Sequence, residues 1–289
     1  MPVFYAVGAY TSAVLTTKLG ISFWLALPIS GLVSLLLGLI LGLPVLKTRG
    51  YYLALITMAF GLIVVTVFEN TMWLGGPNGI SKIPIPNIGS FYFGKPFFIG
   101  GITLPFEANY LYLVSVILAL VLAFTFWLYN SQIGLVWNAI RDDEIAGKCF
   151  GIDINYAKLL AFSMGSFWGG IAGSLYAHLV GFIAPADFTL MTSVMLLAMV
   201  IVGGMSNPWG VMLGAFLLTV IPEKFRMFSD FRLLLFGLII VFMVIYKPMG
   251  ILPSGKRNYE KIIEAINGPV NGKKIFVPEG EAVDKSSRM

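Results

Sequence analysis

Hydrophobic residues occur along most of this chain in long runs, and the polar residues are gathered in short stretches between them. The runs cover residues 3–17, 21–46, 51–68, 109–129, 158–184, 190–222 and 232–246. A helix needs about 20 apolar residues to cross the hydrocarbon core of a bilayer, and several of these runs reach that length. The pattern predicts an all-α fold, a polytopic membrane helix bundle with about seven hydrophobic segments.

The two ends of the chain differ from this pattern. The first run, 3–17, has 15 residues and is shorter than a full span, so we expect the N-terminus to be incomplete. Residues 1–251 are predicted to form one transmembrane domain. Residues 252–289 are predicted to form a polar cytoplasmic tail, because basic residues outnumber acidic ones after the last run and positive charge favours the cytoplasmic side.

The run at 190–222 contains a short polar stretch that divides it into two parts, each too short for an ordinary span. We predict that it is broken or re-entrant, and that it enters and leaves the membrane on the same side. Irregular backbone at membrane depth is tolerated where it lines a cavity, and broken helices often border transport pathways. Gly203, Gly204, Asn207 and Pro208 are therefore candidates for a translocation path.

Small residues recur at four-residue spacing in two of the runs. They are Ser34, Gly38 and Gly42 in one run, and Gly165, Gly169 and Gly173 in the other. Such a stripe allows two helix backbones to approach closely in lipid. We expect both stripes to pack against other helices, either within the chain or in a second subunit.

His178 is the only histidine and lies near the end of the fifth run. It is a further candidate for the translocation path. The alternative, which we prefer, is a polar residue at a helix interface that is hydrogen-bonded to a neighbour.

The composition supports a membrane protein and argues against several kinds of functional site. Of the 289 residues, 58% are hydrophobic and 11% are charged, against about 25% charged in an ordinary soluble domain. A single cysteine excludes an internal disulfide, and with one histidine it argues against a zinc site. The net charge of +5 is modest and does not indicate nucleic-acid binding. We predict no catalytic residues, no metal site and no cofactor.

The most concentrated charged stretch, 137–155, lies between two apolar runs. Asp142 and Asp143 are suited to begin a short helix, because carboxylates accept from the unpaired amides of a helix N-terminus, and Gly151 is suited to end it. The apolar face of this helix comprises Ile145, Ala146, Cys149 and Phe150. From the pattern alone, a turn resting on the membrane surface and a helix docked on a partner are equally acceptable.

The string Asn-Ala-Ile-Arg-Asp-Asp-Glu-Ile-Ala at 138–146 is followed by Gly151, Ile152 and Asp153. Further motifs lie at 8–11, 50–54, 75–80, 203–210 and 247–251. Together they resemble the permease subunits of branched-chain amino acid ABC importers, the LivH/LivM permease family, and its LivM-type subunit in particular.

This resemblance implies a cytoplasmic coupling loop whose short helix inserts into a groove on an ATPase subunit. The loop residues are Arg141, Asp142, Asp143, Glu144, Ile145, Ala146, Phe150 and Gly151. The implied partners are a second permease subunit in a heterodimer, two ABC ATPase subunits and an extracytoplasmic solute-binding protein. The resemblance further implies a multi-pass protein of a bacterial or archaeal plasma membrane, which transports branched-chain amino acids or related solutes such as urea or amides.

Few ionisable residues lie inside the hydrophobic runs, and the chain has no nucleotide-binding motif. We therefore expect ATP hydrolysis on separate subunits and do not expect this chain to be an enzyme. Two alternatives stay open. A self-contained channel or secondary carrier would transport alone, and a non-transporting scaffold would show no substrate-dependent ATP hydrolysis in any complex.

Overall fold

The computed structural model is made mainly of α-helices. It describes residues 2–45, 51–88, 91–92, 97–99, 102–104, 106–149, 151–204, 207–224, 237, 241, 245–247 and 250–252. The α-helices with bounds in these ranges are α1 (Pro2–Thr17), α2 (Phe23–Val45), α3 (Tyr51–Asn70), α4 (Phe106–Tyr129), α5 (Gln132–Asp142), α6 (Glu144–Cys149), α7 (Ile154–Val180), α8 (Leu190–Gly203) and α9 (Pro208–Lys224).

Several of these helices are suited to cross a membrane. Three segments are long and apolar enough, namely Phe23–Leu43, Ala108–Tyr129 and Pro185–Gly203. A fourth results if Ile56–Asn70 and Met72–Asn78, bent by 88°, are counted as one span, and Val3–Thr17 and Pro208–Val220 are shorter apolar helices. The predicted polytopic helical class is confirmed, whereas the count of about seven segments is not. The last run, 232–246, lies mostly outside the described residues.

Helix α7 packs along both α1 and α2, which also contact each other. Its 27 residues extend about 40 Å at 1.5 Å per residue, which exceeds the roughly 30 Å of a hydrocarbon core. Glycines and serines are frequent on its buried surface. Because these side chains are small, α7 approaches two neighbouring backbones at once, as expected for helix packing in lipid.

The predicted stripe on α2 takes part in this packing. A Cβ atom on Gly38 would lie 2.7 Å from the Cβ of Ser166, and one on Gly42 would overlap the side chain of Leu159. Ser34 lies against Gly170 in the same way, and its hydroxyl donates to the Phe4 carbonyl oxygen at 3.2 Å. All three residues of this stripe therefore face α7.

In the predicted stripe on α7, the second and third residues pack against α1, whereas the first does not. Gly169 lies against Phe4, and Gly173 lies directly against the Tyr5 carbonyl. A Cβ atom on Gly165 would have no neighbouring atom within 4 Å, so this residue does not pack against the described part of the chain. Gly173 lies against Tyr5 and Gly169 against Phe4, so Gly165, one turn earlier in α7, is about level with the start of α1 and has no described α1 backbone beside it. Its packing against a second subunit stays a prediction.

Three two-stranded antiparallel sheets were not expected from the hydrophobic pattern. They pair β1 (Ile80–Ser81) with β6 (Phe182–Ile183), β2 (Asn87–Ile88) with β3 (Phe91–Tyr92), and β4 (Phe97–Ile99) with β5 (Ile102–Leu104). In the first sheet Ile80 pairs with Ile183. This sheet joins the connection after α3 to the connection after α7, so both lie at the same end of the bundle.

Helices α8 and α9 pack side by side and form the interrupted segment predicted at 190–222. Gly203 approaches the Gly210 backbone so closely that a Cβ atom on either would overlap the other. The amide of Ile251 donates to the Val202 carbonyl oxygen at 3.0 Å, and that of Leu252 donates to the Gly203 carbonyl oxygen at 3.4 Å. The end of α8 is thus capped by residues that follow the last hydrophobic run.

Candidate functional site

The connection between α4 and α7 is the candidate coupling loop, and it begins with a sharp turn. Ser131 is the N-cap of α5, where its hydroxyl oxygen accepts from the Gly134 amide at 3.4 Å. A side chain on Gly134 would overlap the carbonyl oxygens of Leu128 and Tyr129. Glycine is therefore required at this position for α5 to fold back beside the end of α4.

Helix α5 was missed in the sequence analysis, which assigned most of it to a loop. Two signals were available for it. Ser131 is a preferred N-cap residue, and the apolar residues Ile133, Val136, Trp137 and Ile140 follow a helical spacing. The Trp137 indole Nε1 donates to the Ala157 carbonyl oxygen at 2.9 Å. This hydrogen bond ties α5 to the first turn of α7.

The short helix predicted in the loop is present as α6, although its start differs from the prediction. Asp142 belongs to the last turn of α5, and Asp143 alone caps α6, with its Oδ1 accepting from the Ile145 amide at 2.8 Å. Gly151 has φ +76° and follows the helix end, in the left-handed conformation that glycine favours. The two aspartates therefore separate two helices instead of jointly starting one.

Helix α6 is held at the base of α7 by an ion pair. Glu144 Oε1 and Lys158 Nζ lie 2.9 Å apart. Gly147 of α6 is buried, and a Cβ atom on it would lie 3.7 Å from the Ile140 side chain of α5. A helix of six residues has little stability of its own, so these contacts with α5 and α7 position it.

The outward face of α6 carries apolar and charged side chains. Ile145 is 76% exposed and Cys149 is also exposed, as is Arg141 at the end of the preceding helix α5. Among the other predicted residues, Phe150 lies outside the described part of the chain, as do the side chains of Asp142 and Ala146. An isoleucine exposed on a firmly positioned short helix is suited to bury its side chain in another protein.

His178 is fully buried within a network of hydrogen bonds. Its Nδ1 lies 2.7 Å from the Pro84 carbonyl oxygen, and its Nε2 lies 2.8 Å from the Ser12 hydroxyl, which accepts from the Ser174 hydroxyl at 2.7 Å. A carbonyl oxygen only accepts, so Nδ1 carries the proton, and in a neutral ring Nε2 accepts from Ser12. The network joins α1, α7 and the connection after α3.

The other path candidates lie in a different part of the fold. Asn207 Oδ1 accepts from the Trp209 amide at 3.1 Å, which caps α9, and Pro208 is the first residue of that helix. Gly204, with φ +110°, lies against Gly250. These residues contact α9 and the segment at 250–252, whereas His178 contacts α1. The described residues therefore do not unite the five candidates in one site.

Comparison with known proteins gives a consistent result. A family described as the branched-chain amino acid transport system / permease component matches residues 2–245. The chain is 40% identical over 263 residues to the high-affinity branched-chain amino acid transport system permease protein LivM of Escherichia coli, and equally to that of Salmonella typhimurium. Each alignment covers 86% of this chain and 62% of the relative. No solved structure shows a significant match.

The matched residues include helices α1 to α9 and the loop between α4 and α7, so the match covers the described helices and the candidate site together. The family consists of transport permease components, not enzymes. The chain spans 62% of the length of these two curated relatives. By its sequence, the chain belongs to the family of permease components of branched-chain amino acid transport systems and is of the LivM type.

Proposed function

We propose that this chain is a transmembrane permease subunit of an ATP-binding-cassette importer. It pairs with a second, related permease to form a path for a small solute, which an extracytoplasmic binding protein delivers. The solute is a branched-chain amino acid, the class named for both curated relatives, with urea and amides as related alternatives. The complex resides in the plasma membrane of a bacterium or archaeon, and ATP hydrolysis takes place on two separate ATPase subunits.

The observation that carries this proposal is the exposed face of α6 on a positioned loop. Arg141, Asp142, Asp143, Glu144, Ile145, Ala146, Phe150 and Gly151 are the residues proposed for contact with the ATPase. Burial of an isoleucine side chain stabilises a complex by about 1.5–3 kcal/mol, and each 1.4 kcal/mol corresponds to about tenfold in affinity. The contacts of Glu144 and Trp137 with α7 would transmit movement of the ATPase to the bundle.

The proposed orientation follows from the same loop. If α5 and α6 are cytoplasmic, the β1–β6 sheet lies outside, because α7 connects the two. Trp209, at the start of α9, has its ring 6.3 Å from that of Phe126, near the loop end of α4. This contact supports a cytoplasmic position for the interruption between α8 and α9, which then form two short passes. The tail after residue 252 remains cytoplasmic, in agreement with its basic character.

Reconstitution in proteoliposomes tests the proposal. The chain is purified with its genomic-neighbour permease, ATPases and binding protein, and uptake of radiolabelled leucine, isoleucine and valine is measured with internal ATP. We expect uptake to require both ATP and the binding protein, and to stop when the ATPase is inactivated by mutation. Uptake by this chain alone would indicate a self-contained carrier. A rate of ATP hydrolysis that no solute changes would indicate a scaffold.

A further inference from the structure

The hydroxyl of Tyr10 is buried without a hydrogen-bond partner among the described residues. Tyr10 lies in α1 and is 2% exposed. A buried polar group without a partner is destabilising, and most such groups in native proteins are hydrogen-bonded. By contrast, the hydroxyl of Tyr110, also 2% exposed, donates to the Leu175 carbonyl oxygen at 2.6 Å. The Tyr10 hydroxyl therefore calls for a specific explanation.

Tyr10 belongs to a chain of aromatic rings, two of which, Phe68 and Phe188, lie next to its own ring. We call Tyr5, Tyr10, Phe68, Tyr176 and Phe188 the Tyr10 cluster. The ring of Tyr10 stacks on Phe68 of α3 with centroids 4.1 Å apart, and lies 6.0 Å from Phe188, which precedes α8. Tyr5 completes the cluster, with its ring 5.8 Å from Phe188 and 5.5 Å from that of Tyr176 in α7.

The cluster lies next to a carboxylate at the end of the bundle that carries the β1–β6 sheet. Asp187 directly precedes Phe188 and is partly buried, and its Oδ2 accepts from the Ala184 amide at 2.8 Å. A carboxylate and aromatic faces both attract an ammonium group. The buried tyrosine hydroxyl is a donor suited to a carboxylate. One small region thus combines an apolar surface, a carboxylate that attracts the ammonium group of an amino acid, and a hydroxyl that can donate to its carboxylate.

We infer that the Tyr10 cluster is a transient binding site for a zwitterionic amino acid with an apolar side chain. The apolar side chain packs between the rings, the substrate carboxylate accepts from the Tyr10 hydroxyl, and the ammonium group faces Asp187. The rings belong to α1, α3, α7 and the segment before α8, so a relative movement of these elements opens the site. This inference rests on the proposed importer function and identifies where the solute enters the membrane domain.

The test compares Tyr10→Phe with Tyr110→Phe in the complete complex. Both substitutions remove one hydroxyl from an equally buried ring, but only Tyr110 has a hydrogen-bond partner within the described chain. Loss of an unpartnered hydroxyl leaves the fold equally or more stable. We expect Tyr10→Phe to keep or raise the melting temperature and to lower leucine uptake about tenfold at saturating binding protein. Tyr110→Phe should lower the melting temperature and leave uptake per assembled complex unchanged.

A second measurement does not depend on ATP or on the binding protein. Millimolar leucine should raise the melting temperature of the purified wild-type complex, because a ligand of the folded state stabilises it, and should have a smaller effect on Tyr10→Phe. The inference is wrong if Tyr10→Phe responds to leucine and transports like the wild type, if it is destabilised as Tyr110→Phe is, or if it loses its sister permease. The two hypotheses can fail separately. If the wild-type complex shows no ATP-dependent uptake, but leucine raises its melting temperature and does not raise that of Tyr10→Phe, the importer function is contradicted and the binding site is supported.

Discussion

Glu144 Oε1 and Lys158 Nζ lie 2.9 Å apart, so an ion pair joins the first residue of α6 to the second turn of α7. The side chains are 46% and 44% exposed, respectively, and an exposed pair of this kind contributes only about 0–1 kcal/mol to stability. Its main consequence is orientation. The pair holds a six-residue helix at the base of the helix that is central to the bundle.

Removal of this pair should affect coupling more than folding. We expect Lys158→Gln to leave the melting temperature of the permease nearly unchanged and to weaken ATPase binding a few-fold, because α6 loses one of its attachments to α7. ATPase binding is measured by titration of the purified permease pair. Lys224→Gln, at the exposed end of α9, is the control for loss of one positive charge. Equal effects of the two substitutions would contradict an orienting role for the pair.

The exposed isoleucine of α6 should be central to the ATPase contact. Ile145→Asp removes the apolar side chain and would bury a charge on docking, so we expect the ATPase subunits to be lost on purification. Ile145→Leu, which keeps the apolar volume, should bind nearly as the wild type does. The spanning helices are unaffected in both variants, so insertion and pairing with the sister permease should persist.

The exposed thiol of Cys149 gives an independent readout of the same docking. A membrane-impermeant maleimide should label it in inside-out vesicles, and bound ATPase should slow the reaction. If Ile145→Asp retained its ATPases and labelling were equally fast with and without them, the docking of α6 would be disproved. The equivalent substitution at Phe150 stays an expectation from the sequence, since that residue lies outside the described part of the chain.

Two glycines of α7 should respond in opposite ways to the same substitution. A methyl group on Gly173 would overlap the Tyr5 carbonyl, so we expect Gly173→Ala to destabilise the bundle by about 1–3 kcal/mol. A methyl group on Gly165 has open space, and alanine favours a helix by up to about 1 kcal/mol over glycine. Thermal unfolding of the purified permease measures both. A destabilising Gly165→Ala, with the sister permease bound, would indicate that the second subunit packs there.

The side of the membrane on which α8 and α9 meet can be tested with single cysteines. In a Cys149→Ser background, we expect Trp209→Cys to be labelled from the cytoplasmic side and Ser81→Cys from the outside. Both residues are exposed. Trp209 lies near the loop end of α4, whereas Ser81 lies in the β1–β6 sheet. Labelling of Trp209→Cys only from outside would exclude two short passes and favour a re-entrant loop.

The sequence alone determined the features of this protein that depend on local chemistry. A lipid environment requires apolar segments whose backbone hydrogen bonds are satisfied internally, and the positions of α1, α2, α3, α4 and α7 agree with the predicted runs to within a few residues. The interruption before Pro208 was predictable because proline lacks an amide donor and restricts the residue before it. The short helix ending before Gly151 was predictable from its capping residues, although only the second of the two predicted aspartates caps its start.

Only the tertiary structure decided which surfaces meet. Gly165 and Gly173 belong to one sequence pattern, yet only Gly173 faces the Tyr5 backbone, because packing in lipid depends on the facing helix and not on the stripe alone. The pairing of Ile80 with Ile183 and the hydrogen bond from Ile251 to Val202 join residues far apart in the chain. Such contacts have no local signal, since they arise only when the connected helices have been placed side by side.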